Sequence, residues 1–176
     1  MQDTLHTFDK KAATLVQLLP SWVEPIMKLA TFIGLPVIII LLASIIAVIS
    51  WMKGTPRIAY AQVASVVALG ADSILKYAVH RPRPKTLYVE NMKIHSYSFP
   101  SGHAFGAVAF YGLVAYLAYK YLPEPVNILV TVVLIILIVL IGVSRIYLGA
   151  HFPSDVVGGW LLGGLCLLMI IKFINP

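Results

Sequence analysis

The chain contains a single cysteine, Cys166, and it lies inside an apolar run. No intrachain disulfide is possible, so cysteine usage does not identify a compartment. Charge is scarce too: 11% of the 176 residues are Asp, Glu, Lys or Arg, against 60% hydrophobic residues and a mean hydropathy of +0.90. A soluble domain of this length needs far more polar surface, which sets a water-soluble fold aside. Acid is scarcest, with seven Asp and Glu against thirteen Lys and Arg, a net charge of +6. In a soluble protein that excess would suggest nucleic acid. Here the basic residues sit mainly in connections between apolar runs, which points to lipid headgroups or an anionic substrate. Internal repeats and low-complexity segments are lacking. Residues 1–20 do not read as a signal peptide, because Lys10 and Lys11 interrupt them and no small-residue cleavage site follows an apolar core.

What is present is a series of apolar segments of bilayer length. Leu5, Phe8, Ala12, Leu15 and Leu19 recur at helical spacing with charge opposite, which describes an amphipathic helix over residues 1–22. Two seats suit it: the membrane surface, or the flank of the other spans. Spans follow at about 25–52, with a break or kink at Gly34-Leu35-Pro36, and at about 58–79, 102–121, 126–144 and 153–173. Trp22 and Trp51 bracket the first like an interfacial belt. The expected fold is all-α, an integral membrane helical bundle of five to six transmembrane helices with an N-terminal interfacial helix. A sixth span requires residues 1–33 to enter the bilayer. The whole of 1–176 reads as one membrane-embedded domain, with 80–101 as a polar loop closed off from the preceding helix by Pro82 and Pro84.

Five spans put the 80–101 loop and the 145–153 connection on one membrane face, and the Lys53–Arg57 and Lys120–Pro125 turns on the other. Three polar clusters then converge. The first is Lys76 with Arg83-Pro84. Lys76 near a span end suits snorkelling, or an i,i+4 pair with Asp72, while Arg83 between two prolines presents a stiffened fork for phosphate oxygens. The second is Pro100-Ser101-Gly102-His103, where Ser101 suits a helix cap or a hydroxyl donor and Gly102 admits close approach of a ligand. The third is Ser144-Arg145, then His151 and Asp155, whose spacing lets the carboxylate hold one imidazole nitrogen and leave the other exposed. Gly158, Gly159, Gly163 and Gly164 stand at small-x-x-x-small spacing, a packing signature. His80 and His95 have no defined partner and read as solvated loop residues; His6 is uninformative.

Together, Lys76-x6-Arg83-Pro84, Pro100-Ser101-Gly102-His103 and Ser144-Arg145-x5-His151-x3-Asp155 resemble the three-part signature of the type 2 phosphatidic acid phosphatase superfamily. The resemblance spans residues 76–155 and fills every signature position. It implies that His151 attacks phosphorus, Asp155 orients His151, and His103 protonates the leaving oxygen. Lys76, Arg83, Ser101, Gly102 and Arg145 would hold the phosphoryl oxygens, with no metal or other cofactor. It further implies a cell-envelope lipid substrate, such as undecaprenyl pyrophosphate, phosphatidylglycerol phosphate or lipid A 1-phosphate. The setting would be a bacterial inner (cytoplasmic) membrane with the site on its periplasmic face. Membrane lipids are the only other partners expected, with no nucleic acid and no obligate protein.

Two other classes compete with this reading. A metal-dependent hydrolase would use His103, His151 and Asp155 as ligands, but nearby cations oppose a divalent metal and no further carboxylates compensate. A phospholipid transporter or flippase could use the intramembrane Asp72 and Lys76. The charges gather at one interface, however, and no paired broken helices lie at the midplane.

Overall fold

The computed structural model describes residues 2–175, which form helices with no strand among them. The helices are α1 (Gln2–Gln17), α2 (Glu24–Ile33, led in by a 3₁₀ turn at Ser21–Val23), α3 (Pro36–Met52), α4 (Pro56–Val79), the short α5 (Leu87–Asn91), α6 (Gly102–Tyr121), α7 (Val126–Tyr147) and α8 (Pro153–Ile174). Four of them, α4, α6, α7 and α8, are each long and apolar enough to cross a membrane. The pair α2–α3 makes a fifth if counted as one broken span, bent by 53°. Alone, the 17 residues of α3 rise only about 26 Å, short of a hydrocarbon core of about 30 Å. The bend falls at Gly34-Leu35-Pro36, because Pro36 has no N–H to continue the helical ladder. The Tyr111 hydroxyl donates to the Ile33 carbonyl at 2.8 Å, pairing an acceptor at that break. The protein is thus a multi-pass membrane helical bundle, with five spans rather than six among the described residues.

Helix α6 is the axis of the bundle. Some 61% of its span is buried inside the protein, against 17–28% for the other three single-helix spans. Ala107, Phe110 and Tyr111 of α6 meet Ala30, Ile39, Ala43 and Ile141 in the main core. Residues 107–111 adopt a π turn, a local widening that often accompanies functional sites. Helix α8 approaches α6 closely because Gly159 and Gly163 have no side chains. A Cβ at Gly159 would lie 2.7 Å from the Ser101 carbonyl, and one at Gly163 would lie 2.6 Å from that of Phe105. Gly158 likewise leaves room for the Phe99 ring, whereas Gly164 faces open space and makes no such contact, correcting the four-glycine packing reading.

Helix α1 takes the flank of the other spans. Leu5, Phe8 and Leu15 remain exposed on it, with Leu19 just beyond its end. Its inner side packs on the bundle, with Ala13 and Val16 beside Ile146 and Val156, and Gln17 donating to the Ile146 carbonyl at 3.2 Å. The expected sidedness also appears. A cavity of about 850 Å³ brings Lys53, Arg57, Lys120 and Asn175 together at the end of the bundle remote from the 80–101 loop.

Candidate active site

Helix α8 begins with Pro153, whose fixed φ suits the first helical turn. That start places Asp155 where its carboxylate accepts the Phe152 N–H at 2.9 Å. The same oxygen, Oδ2, accepts the Ser98 hydroxyl, while Oδ1 accepts Nη1 of Arg81 at 2.6 Å. His151 Nδ1 faces Oδ2 at 3.6 Å, inside ion-pair range but longer than a hydrogen bond. On the far side of the ring, Nε2 lies 3.0 Å from Arg83 Nη1. A guanidinium only donates, so Nε2 presents a lone pair and the ring proton resides on Nδ1, toward Asp155. Arg83 is fixed by the Ser96 carbonyl at 2.7 Å, the Ser96 hydroxyl at 2.9 Å and the Ala150 carbonyl at 2.9 Å. Burial pushes the His151 imidazolium down to about 4; the Asp155 carboxylate opposes this and the Arg83 charge adds to it. The imidazole is therefore neutral across the ordinary pH range, with its free electron pair beside a cation.

The remaining signature residues close around this pair. Lys76 is buried on α4, where its ammonium donates to the Asp72 carboxylate and, at 2.8 Å, to the Pro100 carbonyl. Its burial rules out snorkelling, and the i,i+4 partner reading holds. Gly102 sits directly against that pair: a Cβ there would lie 2.7 Å from Asp72 Oδ2. Ser101 occupies the N-cap position of α6 but its hydroxyl caps nothing. Its N–H donates to the Asp155 carbonyl at 3.0 Å, tying the start of α6 to α8. Arg145 is buried at the end of α7, donating to the Thr31 hydroxyl and lying under the Tyr88 ring at 5.7 Å.

Among the described residues, the enclosed side-chain atoms without a hydrogen-bond partner in the protein include Asp72 Oδ1, Ser101 Oγ, His103 Nε2, Arg145 Nε and His151 Nδ1 in this cluster; Gln62 and Trp160 hold the others. An unpaired buried polar group costs about 1–3 kcal/mol, so this concentration suits a polar ligand. His103 and Arg145 line a cavity of about 390 Å³ whose other walls include Lys28, Thr31, Phe32, Leu35 and Tyr88, an apolar approach with cationic ends. His151 lines a second cavity of about 360 Å³, roofed by Asp9, Ala13 and Gln17 of α1.

The structure therefore gathers Lys76, Arg83, Ser101, Gly102, His103, Arg145, His151 and Asp155 at one end of the bundle. His80 and His95 stay exposed outside it; His80 packs edge-on against Tyr97, with ring centres 4.6 Å apart. Sequence reasoning missed Arg81, Ser98, Thr31, Tyr88 and Asp9. Arg81 was legible only as one more basic residue in a Pro-rich run. The other four carried no spacing signal, since their partners lie far along the chain.

Comparison with known proteins agrees with this architecture. The family model described as the PAP2 superfamily matches residues 38–176. The phosphatidylglycerophosphatase B of Bacillus subtilis is 32% identical over 173 residues, covering 92% of this chain and 79% of that protein. The undecaprenyl-diphosphatase of Sulfolobus acidocaldarius is 37% identical over 116 residues, 63% of this chain and 52% of that one. The crystal structure of a transmembrane PAP2-type phosphatidylglycerolphosphate phosphatase from Bacillus subtilis matches with a TM-score of 0.84 at 28% identity, over 98% of this chain and 87% of that one. The chain belongs to the PAP2 superfamily, among its membrane lipid phosphatases.

Proposed function

We propose that this protein, a single membrane-embedded domain, hydrolyses the phosphate ester or pyrophosphate of a cell-envelope lipid through a phosphohistidine, without a metal. The observation that carries the reading is the contact between Arg83 and His151 Nε2. It leaves a neutral imidazole whose electron pair already faces a phosphate-binding cation, with the ring proton directed at Asp155. An incoming phosphoryl group takes the Arg83 fork onto its own oxygens and frees Nε2 for attack.

The Nε2 pair forms the N–P bond, and the bond from phosphorus to the lipid oxygen breaks. His103 gives its proton to that oxygen, and Asp155 stabilises the charge arising on His151. Water next attacks phosphorus and returns a proton to His103; the N–P bond breaks and inorganic phosphate leaves. Arg83, Arg145, Lys76 and the Ser101 hydroxyl stabilise the equatorial oxygens, the main requirement of phosphoryl transfer. The negative phosphate also supplies the counter-charge that a protonated His103 needs amid these cations.

The apolar approach past Phe32 and Leu35 suits a lipid rather than a soluble ester. Similarity along nearly the whole chain to a phosphatidylglycerophosphatase favours phosphatidylglycerol phosphate, with undecaprenyl pyrophosphate and lipid A 1-phosphate as the other candidates. We place the protein in a bacterial inner membrane with this site on the periplasmic face. The test is phosphate release by the purified protein in detergent with excess chelator, on these lipids and phosphatidic acid, with acid-labile ³²P-protein trapped from labelled substrate. Release and a labelled wild type, with neither from His151→Ala, are expected. Turnover by His151→Ala would overturn the covalent mechanism.

A further inference from the structure

Asp9 belongs to an N-terminal helix outside the three-part signature, yet only 1% of it is exposed. Its Oδ2 accepts Arg81 Nη2 at 2.6 Å and the Ser154 hydroxyl at 2.8 Å, and its Oδ1 accepts the Ser154 N–H at 2.8 Å. The other arm of Arg81 reaches Asp155 Oδ1 at 2.6 Å and the Ser154 hydroxyl at 2.7 Å, and the guanidinium lies 4.5 Å from the centre of the Phe152 ring. One guanidinium thus spans two buried carboxylates, one on α1 and one on α8. By occupying Oδ1 it leaves Oδ2 turned toward His151 Nδ1.

The link from α1 is double. Asp9 fixes Arg81, and it also holds the main chain and side chain of Ser154, the residue preceding Asp155. Because the His151–Asp155 separation is 3.6 Å, a small turn of the carboxylate decides whether that contact becomes a hydrogen bond or is lost. Leu5, Phe8 and Leu15 of α1, with Leu18 just beyond its end, are exposed and suited to the interface of a bilayer.

We propose that α1 belongs to the catalytic apparatus: Asp9, through Arg81 and Ser154, is a positioning residue for the Asp155–His151 pair, so that the seating of α1 on the bundle sets turnover. The inference rests on His151 as nucleophile and adds a residue and an element that the signature does not contain.

The experiment measures kcat and KM for phosphatidylglycerol phosphate, together with thermal melting, on the full chain in detergent. Asp9→Asn keeps the shape but removes the charge. It is expected to lower kcat about tenfold, with KM within about twofold and melting nearly unchanged, as for other residues that orient a functional histidine. Ser154→Ala, which loses only one hydroxyl, is expected to lower kcat less, again at constant KM. With excess enzyme in an Asp155→Asn background, Asp9→Asn should cause no further loss, because both changes act on the same group. Wild-type kcat in Asp9→Asn would overturn the proposal. So would losses that follow melting and add fully to those of Asp155→Asn, since they would give Asp9 a structural role alone. Should Asp9→Asn fail to fold, Ser154→Ala decides by the same criteria. Activity in His151→Ala would instead remove the underlying mechanism, whereas a dead His151→Ala beside an unaltered Asp9→Asn removes only this inference.

Discussion

Cations gather at both ends of this bundle, and the two ends hold them differently. At one end, Lys53, Arg57 and Lys120 are exposed around the larger cavity, about 850 Å³. At the other, Lys76 and Arg145 are buried and Arg83 is partly buried, each held by named protein groups beside cavities of about 390 and 360 Å³. Cavity size does not mark the site, since the larger cavity lies at the opposite end. What separates the ends is fixation: exposed side chains are screened and mobile, whereas buried ones keep a geometry that, on the proposed function, meets phosphate oxygens without reorganisation. A histidine with a directed lone pair occurs only at the fixed end among the described residues.

The comparison can be broken at several levels of effect. Removing the histidines should matter most. His151→Ala and His103→Ala are each expected to abolish phosphate release, by about 10⁴-fold or more, while leaving the protein folded by melting and gel filtration. Arg145→Lys comes next, at about 10²-fold in kcat/KM, because an ammonium cannot reproduce the fork under Tyr88. Wild-type rates there would reduce Arg145 to a helix anchor.

A pH effect on stability sharpens the same contrast. The folded-state value of His151, about 4, lies below the ordinary histidine value of 6.5. Between these values the unfolded chain binds the proton and the folded chain does not, so the stability from this site is present above pH 6.5 and lost as pH falls toward 4. The melting temperature should therefore drop across that window in the wild type and drop less in His151→Ala. The smallest effect is expected at the opposite end, where joint replacement of Lys53, Arg57 and Lys120 by Gln should leave kcat within about twofold, since exposed charges contribute little. A large loss there would show that fixation at the other end is not what makes the site.

Much of this was legible in the chain. Apolar runs bounded by Pro56, Pro123, Pro125 and Pro153 placed α4, α6, α7 and α8 to within a few residues, because a bilayer enforces length and composition. The parity of the spans then required the three signature segments to share a face. Ser101 shows where local reasoning ended: its position is that of a cap, yet its hydroxyl caps nothing, since Asp155 from α8 holds its backbone instead. Lys76 shows the same from another side, its span-end position suggesting snorkelling where the Pro100 carbonyl draws it inward.

The sequence by itself determined the class of solvent, the order of the spans and their number to within one, and the residue types available for phosphate chemistry. Each depends on hydropathy, helical period or spacing within a short stretch. Only the tertiary structure decided which nitrogen of His151 carries the lone pair, that Gly102 is small to admit Asp72, and that Asp9 and Asp155 share Arg81 across 72 and 74 positions respectively. Those outcomes arise from contacts between segments distant along the chain, for which no local spacing exists to be read.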